Sequence, residues 1–351
     1  MADGLLPENG SNRRPGALPA SFGRQGRVGR VTNGDMTDKM LDASRSARSL
    51  TLALALALIL AIPAHASTPK PVQEAWWTGP MLASSGGTLP RGHALAEPYL
   101  FDQRGRGGDY AGSLTYLLYG ATDRLTVGLI PTFGATRSKG SAYHRHADIS
   151  DLTLTAQYRM HLAKIGEAMP TWSLVVQESL PTGRFDRLGS DADRGIGSGS
   201  FATMIGLYAQ RSDAMANGHI LRTRINLSYT MPHGARLHDR SVYGTPEGFR
   251  GTAHPGDSAL ADLSIEYSLT RSWVLATDLF GRRTGAGEVA GQMAGTSWSR
   301  RLPRQLSAGV APAVEYSWNA NRGVLLGVRR IFPSHDVAPS WTPAVAFNAY
   351  F

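Results

Sequence analysis

The sequence predicts an all-β fold: a transmembrane antiparallel β-barrel of about twelve strands, preceded by a signal peptide. Three observations predict it. The last eleven residues put Trp341, Pro343, Val345, Phe347, Ala349 and Phe351 on one face at period two. An apolar strand left as an open edge invites aggregation, whereas the last strand of a closed barrel pairs with its first. Further strand-like segments precede it, several with one wholly apolar face. Their connections alternate short and long, which is the loop sorting of membrane barrels.

Taken in order, residues 1–35 are rich in Gly, Arg, Asn and Pro and carry no period. They read as a non-native or disordered extension. The apolar run Leu50–Ala64 follows Arg45 and Arg48 and leads into Ala64-His65-Ala66. Basic flank, apolar core and small-residue site make 36–66 a signal peptide, with cleavage expected after Ala66. Such a peptide stands at the start of a chain, so Met36 or Met40 is the expected start. Residues 67–92 are broken by Pro69, Pro71, Pro80, Gly86, Gly87 and Pro90, and read as an irregular periplasmic segment or plug.

The barrel is expected over 93–351, with strands near 93–101, 112–119, 124–135, 146–160, 171–181, 199–210, 219–231, 257–269, 272–281, 303–318, 321–332 and 340–351. Alternation is clear in 221–229, where Leu221, Thr223, Ile225, Leu227 and Tyr229 oppose Arg222, Arg224, Asn226 and Ser228. It recurs where Ala261, Leu263, Ile265, Tyr267 and Leu269 oppose Asp262, Ser264, Glu266 and Ser268. It is poor in 171–181 and 321–332, where Glu178 and Arg329-Arg330 fit neither face and bulges are expected. Long connections fall near 182–198, 232–256 and 282–303. Aromatics such as Tyr116, Tyr158, Tyr208, Tyr229, Trp273, Trp318 and Trp341 fall near strand ends, as in girdles at lipid–water boundaries.

Charge facing lipid near the midplane costs about 2–4 kcal/mol for an Arg. The charged positions of these strands are therefore expected inside: Asp151 and Arg159, with Gln157; Arg222 and Arg224, with Asn226; Asp262 and Glu266; Asp278; and Glu315. Arg222 and Arg224 are expected to pair across the ladder with Asp262 and Glu266. Either these groups fill and stiffen a narrow lumen, or they line a path that selects what passes. The formal charge of +9 falls to +6 once residues 1–66 are set aside, and it is spread along the chain. That is not the dense basic run of a nucleic-acid binder. The absence of Cys excludes thiol chemistry.

The stretch Glu178-Ser-Leu-Pro-Thr-Gly-Arg184, then Gly195-Ile-Gly-Ser-Gly-Ser-Phe201, resembles the "MetA pathway of phenol degradation" family of outer-membrane proteins, akin to aromatic-hydrocarbon transporters of the FadL type. Thr88-Leu-Pro-Arg-Gly-His93 and Glu97-Pro-Tyr-Leu-Phe101 are similar to that family's first strand. The resemblance implies a porin-like barrel in the Gram-negative outer membrane that moves small, often aromatic or apolar molecules. It names no binding residue and no cofactor.

Other motifs carry less. Gly195-x-Gly-x-Gly lies between strands, with no helix to present to a phosphate. His144, His146 and Asp148 are loop residues with a weak metal pattern. Ser241 with His238 and Asp239 would suit a lipid hydrolase only if a rigid element fixed the pair, so no enzyme is expected. A non-conducting structural or surface-interaction barrel is the alternative to a channel. Expected partners are a small-molecule solute, outer-membrane lipid with lipopolysaccharide, and the barrel-assembly machinery, which would read the strand ending at Phe351. His233, His238 and His254 share the longest loop with Arg236, Asp239, Arg240 and Arg250, which reads first as a plain solvated loop and second as a contact for lipopolysaccharide phosphates.

Overall fold

A computed structural model describes residues 75–106, 108–137, 147–189, 194–334 and 337–351. The extension and signal peptide assigned to residues 1–66, and the loop histidines His144 and His146, lie outside the described residues. The strands, in chain order, are β1 (Ala94–Gly105), β2 (Asp109–Thr122), β3 (Leu125–Ile130), β4 (Thr132–Arg137), β5 (Asp148–Ile149), β6 (Leu152–His161), β7 (Thr171–Leu180), β8 (Ala202–Ala214) and β9 (Ile220–Pro232). They continue as β10 (Ala235–His238), β11 (Phe249–His254), β12 (Ser258–Ser268), β13 (Trp273–Thr284), β14 (Gly287–Met293), β15 (Thr296–Leu302), β16 (Gln305–Asn319), β17 (Arg322–Ile331) and β18 (Ser340–Tyr350).

Fourteen of these form one antiparallel sheet that closes on itself, because β1 pairs with both β2 and β18. Closure is completed by reciprocal bonds between Ala94 and Phe351, N–H to carbonyl at 3.0 and 2.9 Å. The wall has twelve strand positions, since two are interrupted. β3 and β4 are one strand broken at Pro131, which has no N–H to give; its carbonyl instead accepts from Thr115 N–H at 3.1 Å. β5 and β6 are one strand broken at Ser150–Asp151. All twelve segments expected from the sequence coincide with wall strands.

The two faces invert the partition of a soluble protein. The outward face exposes Leu117, Leu129, Ile205, Leu227, Leu279 and Leu326, while Thr126, Ser173, Asp262, Ser264, Asp278 and Thr342 are buried inside. On β9, Ile225 is 48% exposed and its neighbour Arg224 only 3%. A band of apolar side chains this extensive cannot stay in water. Facing acyl chains it is at home, so the fold is a transmembrane barrel. Trp273, Tyr158, Tyr229, Trp318 and Trp341 are exposed near strand ends. Tyr116 and Tyr208 are not: both are buried on the inside, which corrects the girdle reading for those two.

Two further readings are corrected. The connections at 232–256 and 282–303 are not plain loops. They carry a separate four-stranded sheet in the order β10-β11-β14-β15. Ala235, Leu237, Phe249, Ala253 and Val289 form its core, with Phe185, Tyr243, Trp298 and Leu302 packed on it. The expected bulges inside 171–181 and 321–332 are also absent: β7–β8 and β17–β18 pair without a break in register. Register shifts lie instead at the short turns, at Gly120/Thr122, Arg159/His161 and Ser317/Asn319. Glu178 points outward at the long-loop end and accepts from Thr203 Oγ1 at 2.6 Å. Arg329 points inward and donates to Gln103 at 3.0 Å, while Arg330 is exposed opposite Trp341.

Candidate functional site

Alternation aims every second wall side chain at the interior. Between β9 and β12 the register sets Asp262 opposite Asn226, Ser264 opposite Arg224 and Glu266 opposite Arg222. Arg224 reaches diagonally to Glu266 through two parallel bonds, Nε to Oε2 at 2.8 Å and Nη2 to Oε1 at 3.1 Å. The guanidinium fork matches the carboxylate in this geometry. Arg222 Nη1 approaches the same carboxylate at 3.7 Å. Glu266 therefore takes both arginines, and Asp262 lies two inward rungs along, past Ser264 and opposite Asn226.

These groups meet a length of chain with no regular structure. An irregular backbone must find partners for its N–H and C=O groups outside any ladder, and residues 76–91 find them on inward side chains. Trp76 N–H donates to Arg271 O at the β12–β13 turn, 2.8 Å, with the Arg271 guanidinium over its ring. The Arg222 guanidinium lies 3.8 Å from the Trp77 ring centroid. Thr78 N–H, Thr78 Oγ1 and Gly79 N–H all donate to Glu315 Oε2, at 2.8, 2.9 and 2.9 Å. Gly79 turns the chain there at φ 109°. Leu82 and Ala83 N–H donate to the two oxygens of Asp278, each at 3.1 Å. Ala83 O accepts from Arg224 Nη1 at 3.0 Å. The Asn226 amide matches the backbone of Ser84, with Nδ2 3.2 Å from Ser84 O and Oδ1 2.6 Å from Ser84 N.

The far limb is held the same way. Gln157 Nε2 donates to Ser85 O and Gly87 O, at 2.8 and 2.9 Å, and Ser173 Oγ to Gly86 O at 2.6 Å. A Cβ on Gly86 would lie 2.5 Å from Thr171 O, so only glycine fits. Leu89 N–H reaches Thr126 Oγ1 at 2.8 Å and Arg91 N–H reaches Asp123 at 3.0 Å. The segment thus starts at one short turn, runs along the inner wall, and leaves at another. Met81 and Leu82 pack on the opposite side of the interior, against Tyr99, Leu114, Tyr116, Leu325 and Ala346. The inner wall is accordingly rich in charge on β9, β12, β13 and β16, and mainly apolar and aromatic on β1, β2, β17 and β18, where Glu97 and Arg329 are charged exceptions.

The long-loop end has its own anchor. Asp151, at the break between β5 and β6, accepts from Gly183 N–H at 3.0 Å and from Ser198 N–H and Oγ at 2.7 and 2.6 Å. This cluster is the physical reason for the strand break. Tyr243 donates to Ser198 O at 2.7 Å. Burial, and secondly the charge of Asp151, pushes its phenol well above the usual range.

Of the residues singled out from the sequence, Arg222, Arg224, Glu266, Asp278 and Glu315 are brought together around residues 77–84. Asp262 is buried beside them, 2% exposed. Asp151 and Arg159 stand apart, at opposite ends of their strand; Arg159 is half-buried opposite Ser173. Glu97 was missed. It is 1% exposed, inside β1 between buried Leu95 and Tyr99. Its strand carries large apolar groups on the inner face, so alternation alone pointed the wrong way. The hydrolase candidates do not assemble: Ser241 Oγ accepts from Thr245 Oγ1 at 2.8 Å, while the His238 ring meets Asp186 at 3.3 Å. Asp148 is paired with Arg194 at 3.1 Å.

No family model and no curated protein matches the sequence. The phenol-degradation resemblance therefore gains no family assignment. Among solved structures, the COG4313 outer membrane channel from Pseudomonas putida F1 is similar over 77% of this chain and 100% of its own, with 16% identity and a TM-score of 0.55. The likeness shows the barrel fold. The translocator domain of autotransporter NalP from Neisseria meningitidis (12% identity, 74% of this chain and 88% of its own, TM-score 0.41) and the Pseudomonas putida toluene transporter TodX (13%, 81% and 99%, 0.36) are more distant.

Proposed function

We propose that the protein is an outer-membrane channel through which small molecules pass passively, with residues 75–92 setting the constriction. One observation carries the reading: the chain of hydrogen bonds from Thr78 to Leu89 is made to inward side chains of seven wall strands, and the barrel closes without help from it. A segment held this way narrows a lumen that the wall itself leaves open. The solved barrel with the highest of the reported scores is named as an outer membrane channel, which is consistent with this assignment.

The divided inner wall suits amphipathic or aromatic solutes. Tyr99, Tyr116 and Leu325 are covered by Met81 and Leu82, and the arginine and carboxylate cluster opposite holds residues 78–83, so a solute meets this apolar surface and this polar cluster once the segment moves aside. Passage needs no cofactor and no covalent step. Export after cleavage behind Ala66, and recognition of the terminal strand by the assembly machinery, complete the proposal. The long-loop end then faces the cell exterior and the short turns the periplasm.

Planar-bilayer recording tests it. Single-channel steps that change in size or ion selectivity with Arg222→Ala or Glu266→Ala are expected. A silent bilayer for every form would favour the non-conducting barrel, with the ion pairs acting only as a filling.

A further inference from the structure

We propose that the outer surface of β9, β12 and β13, together with the rim above it, binds a phosphorylated, acylated glycolipid of the outer leaflet, the lipid A part of lipopolysaccharide. The inference rests on the orientation given above and concerns a site remote from the lumen.

Two adjoining features carry it. The first is a polar cleft of about 840 Å³ at the long-loop end, between the barrel lip and the added sheet. Arg283, Arg300, Arg301 and His254 line it, with Asp257 and Glu288. None of the three arginines has a carboxylate within ion-pair distance among the described residues. Arg300 donates to the carbonyls of Tyr243 and Gly244, at 3.3 and 3.4 Å. Asp257 is engaged by the Tyr229 hydroxyl at 2.8 Å. Exposed Arg304 stands two residues before outward Leu306, which is opposite the neighbour of Arg282, Arg283, in the β13–β16 register.

The second feature lies directly below, on the lipid face. It is an apolar groove of about 570 Å³. Ala259, Ala261 and Gly281 are its small outward residues, and Leu207, Leu227 and Leu306 line it beside them. Small residues on an otherwise leucine-rich face leave a shallow, open furrow. Cleft and groove share Tyr229, Ala259 and Arg283, so they are one continuous surface.

Charge and shape together specify the occupant. Uncommitted guanidinium groups suit phosphate oxygens bidentately, and they adjoin the apolar outward face at the long-loop end. A furrow running from them into the apolar band takes a hydrocarbon chain. A free phosphate would use only the cleft, and an uncharged lipid only the groove. A phosphorylated glycolipid anchored in the outer leaflet uses both.

The test is native mass spectrometry of the full mature chain in detergent, titrated with diphosphoryl lipid A, dephosphorylated lipid A, phosphatidylethanolamine and inorganic phosphate. Diphosphoryl lipid A is expected to give a retained 1:1 adduct. Its affinity should fall about tenfold or more in the Arg283→Glu/Arg301→Glu variant and on dephosphorylation, in line with loss of charge-assisted bonds. Ala261→Trp, which fills the groove, should weaken the same adduct. Arg322→Glu at the opposite rim should not. Conductance should be unchanged in all of these, so failure here is separable from failure of the channel reading. Equal lipid A affinity in the wild type and in both site variants would overturn the proposal. So would displacement of the lipid by inorganic phosphate at matched concentration.

Discussion

At the scale of single residues, the interior is organised by charge that has been withdrawn from water. Arg224 and Glu266 are 3% and 0% exposed, and each is the other's main partner. Removing one member of such a pair leaves the other buried and uncompensated, at a cost of about 3–5 kcal/mol. Arg224→Ala should therefore lower the temperature at which the folded, fast-migrating form converts on a gel. The Arg224→Ala/Glu266→Ala double variant should recover part of that loss, which a double-mutant cycle reads directly. Asp278 differs in role, since its two oxygens take the backbone of Leu82 and Ala83. Asp278→Asn should weaken a hydrogen-bonded contact worth about 1.5–3 kcal/mol and make residues 75–89 accessible to added protease while the barrel stays intact. The inward charges on β9, β12, β13 and β16 were legible because each is opposed by apolar neighbours at period two. Glu97 was not, because Leu95 and Tyr99 flank it on the same inner face.

At the scale of elements, the wall strands were readable and the additions to the wall were not. A wall strand of ten or more residues repeats its alternation often enough to be seen. β10 and β11 have four and six residues and are interspersed with glycine and turns, so their period is lost in the sequence. Only the pairing of β11 with β14 from a different connection builds the core around Phe249. Phe249→Ala removes its largest side chain and should destabilise that sheet by about 3–5 kcal/mol. Limited proteolysis should then cut within 233–257 while heat-modifiable migration is retained, because the barrel closes without this sheet. Residues 75–92 show the same limit. Prolines and glycines announced an irregular segment, but its route depends on inward partners contributed by strands up to 237 positions away.

For the molecule as a whole, function depends on which side of the wall meets lipid and what fills the other. The inverted distribution of leucine and carboxylate fixes the first, and it means that the mature chain should be monodisperse only in detergent or bilayer. On the other side, the wall is proposed to enclose a path that residues 75–92 narrow. Single-channel conductance of the mature chain, compared with a form lacking residues 75–89, tests this most directly. Small steps are expected from the intact chain, and steps several-fold larger, with weaker ion selectivity, once the segment is gone. Equal conductance in the two forms, or no steps from either, would contradict it.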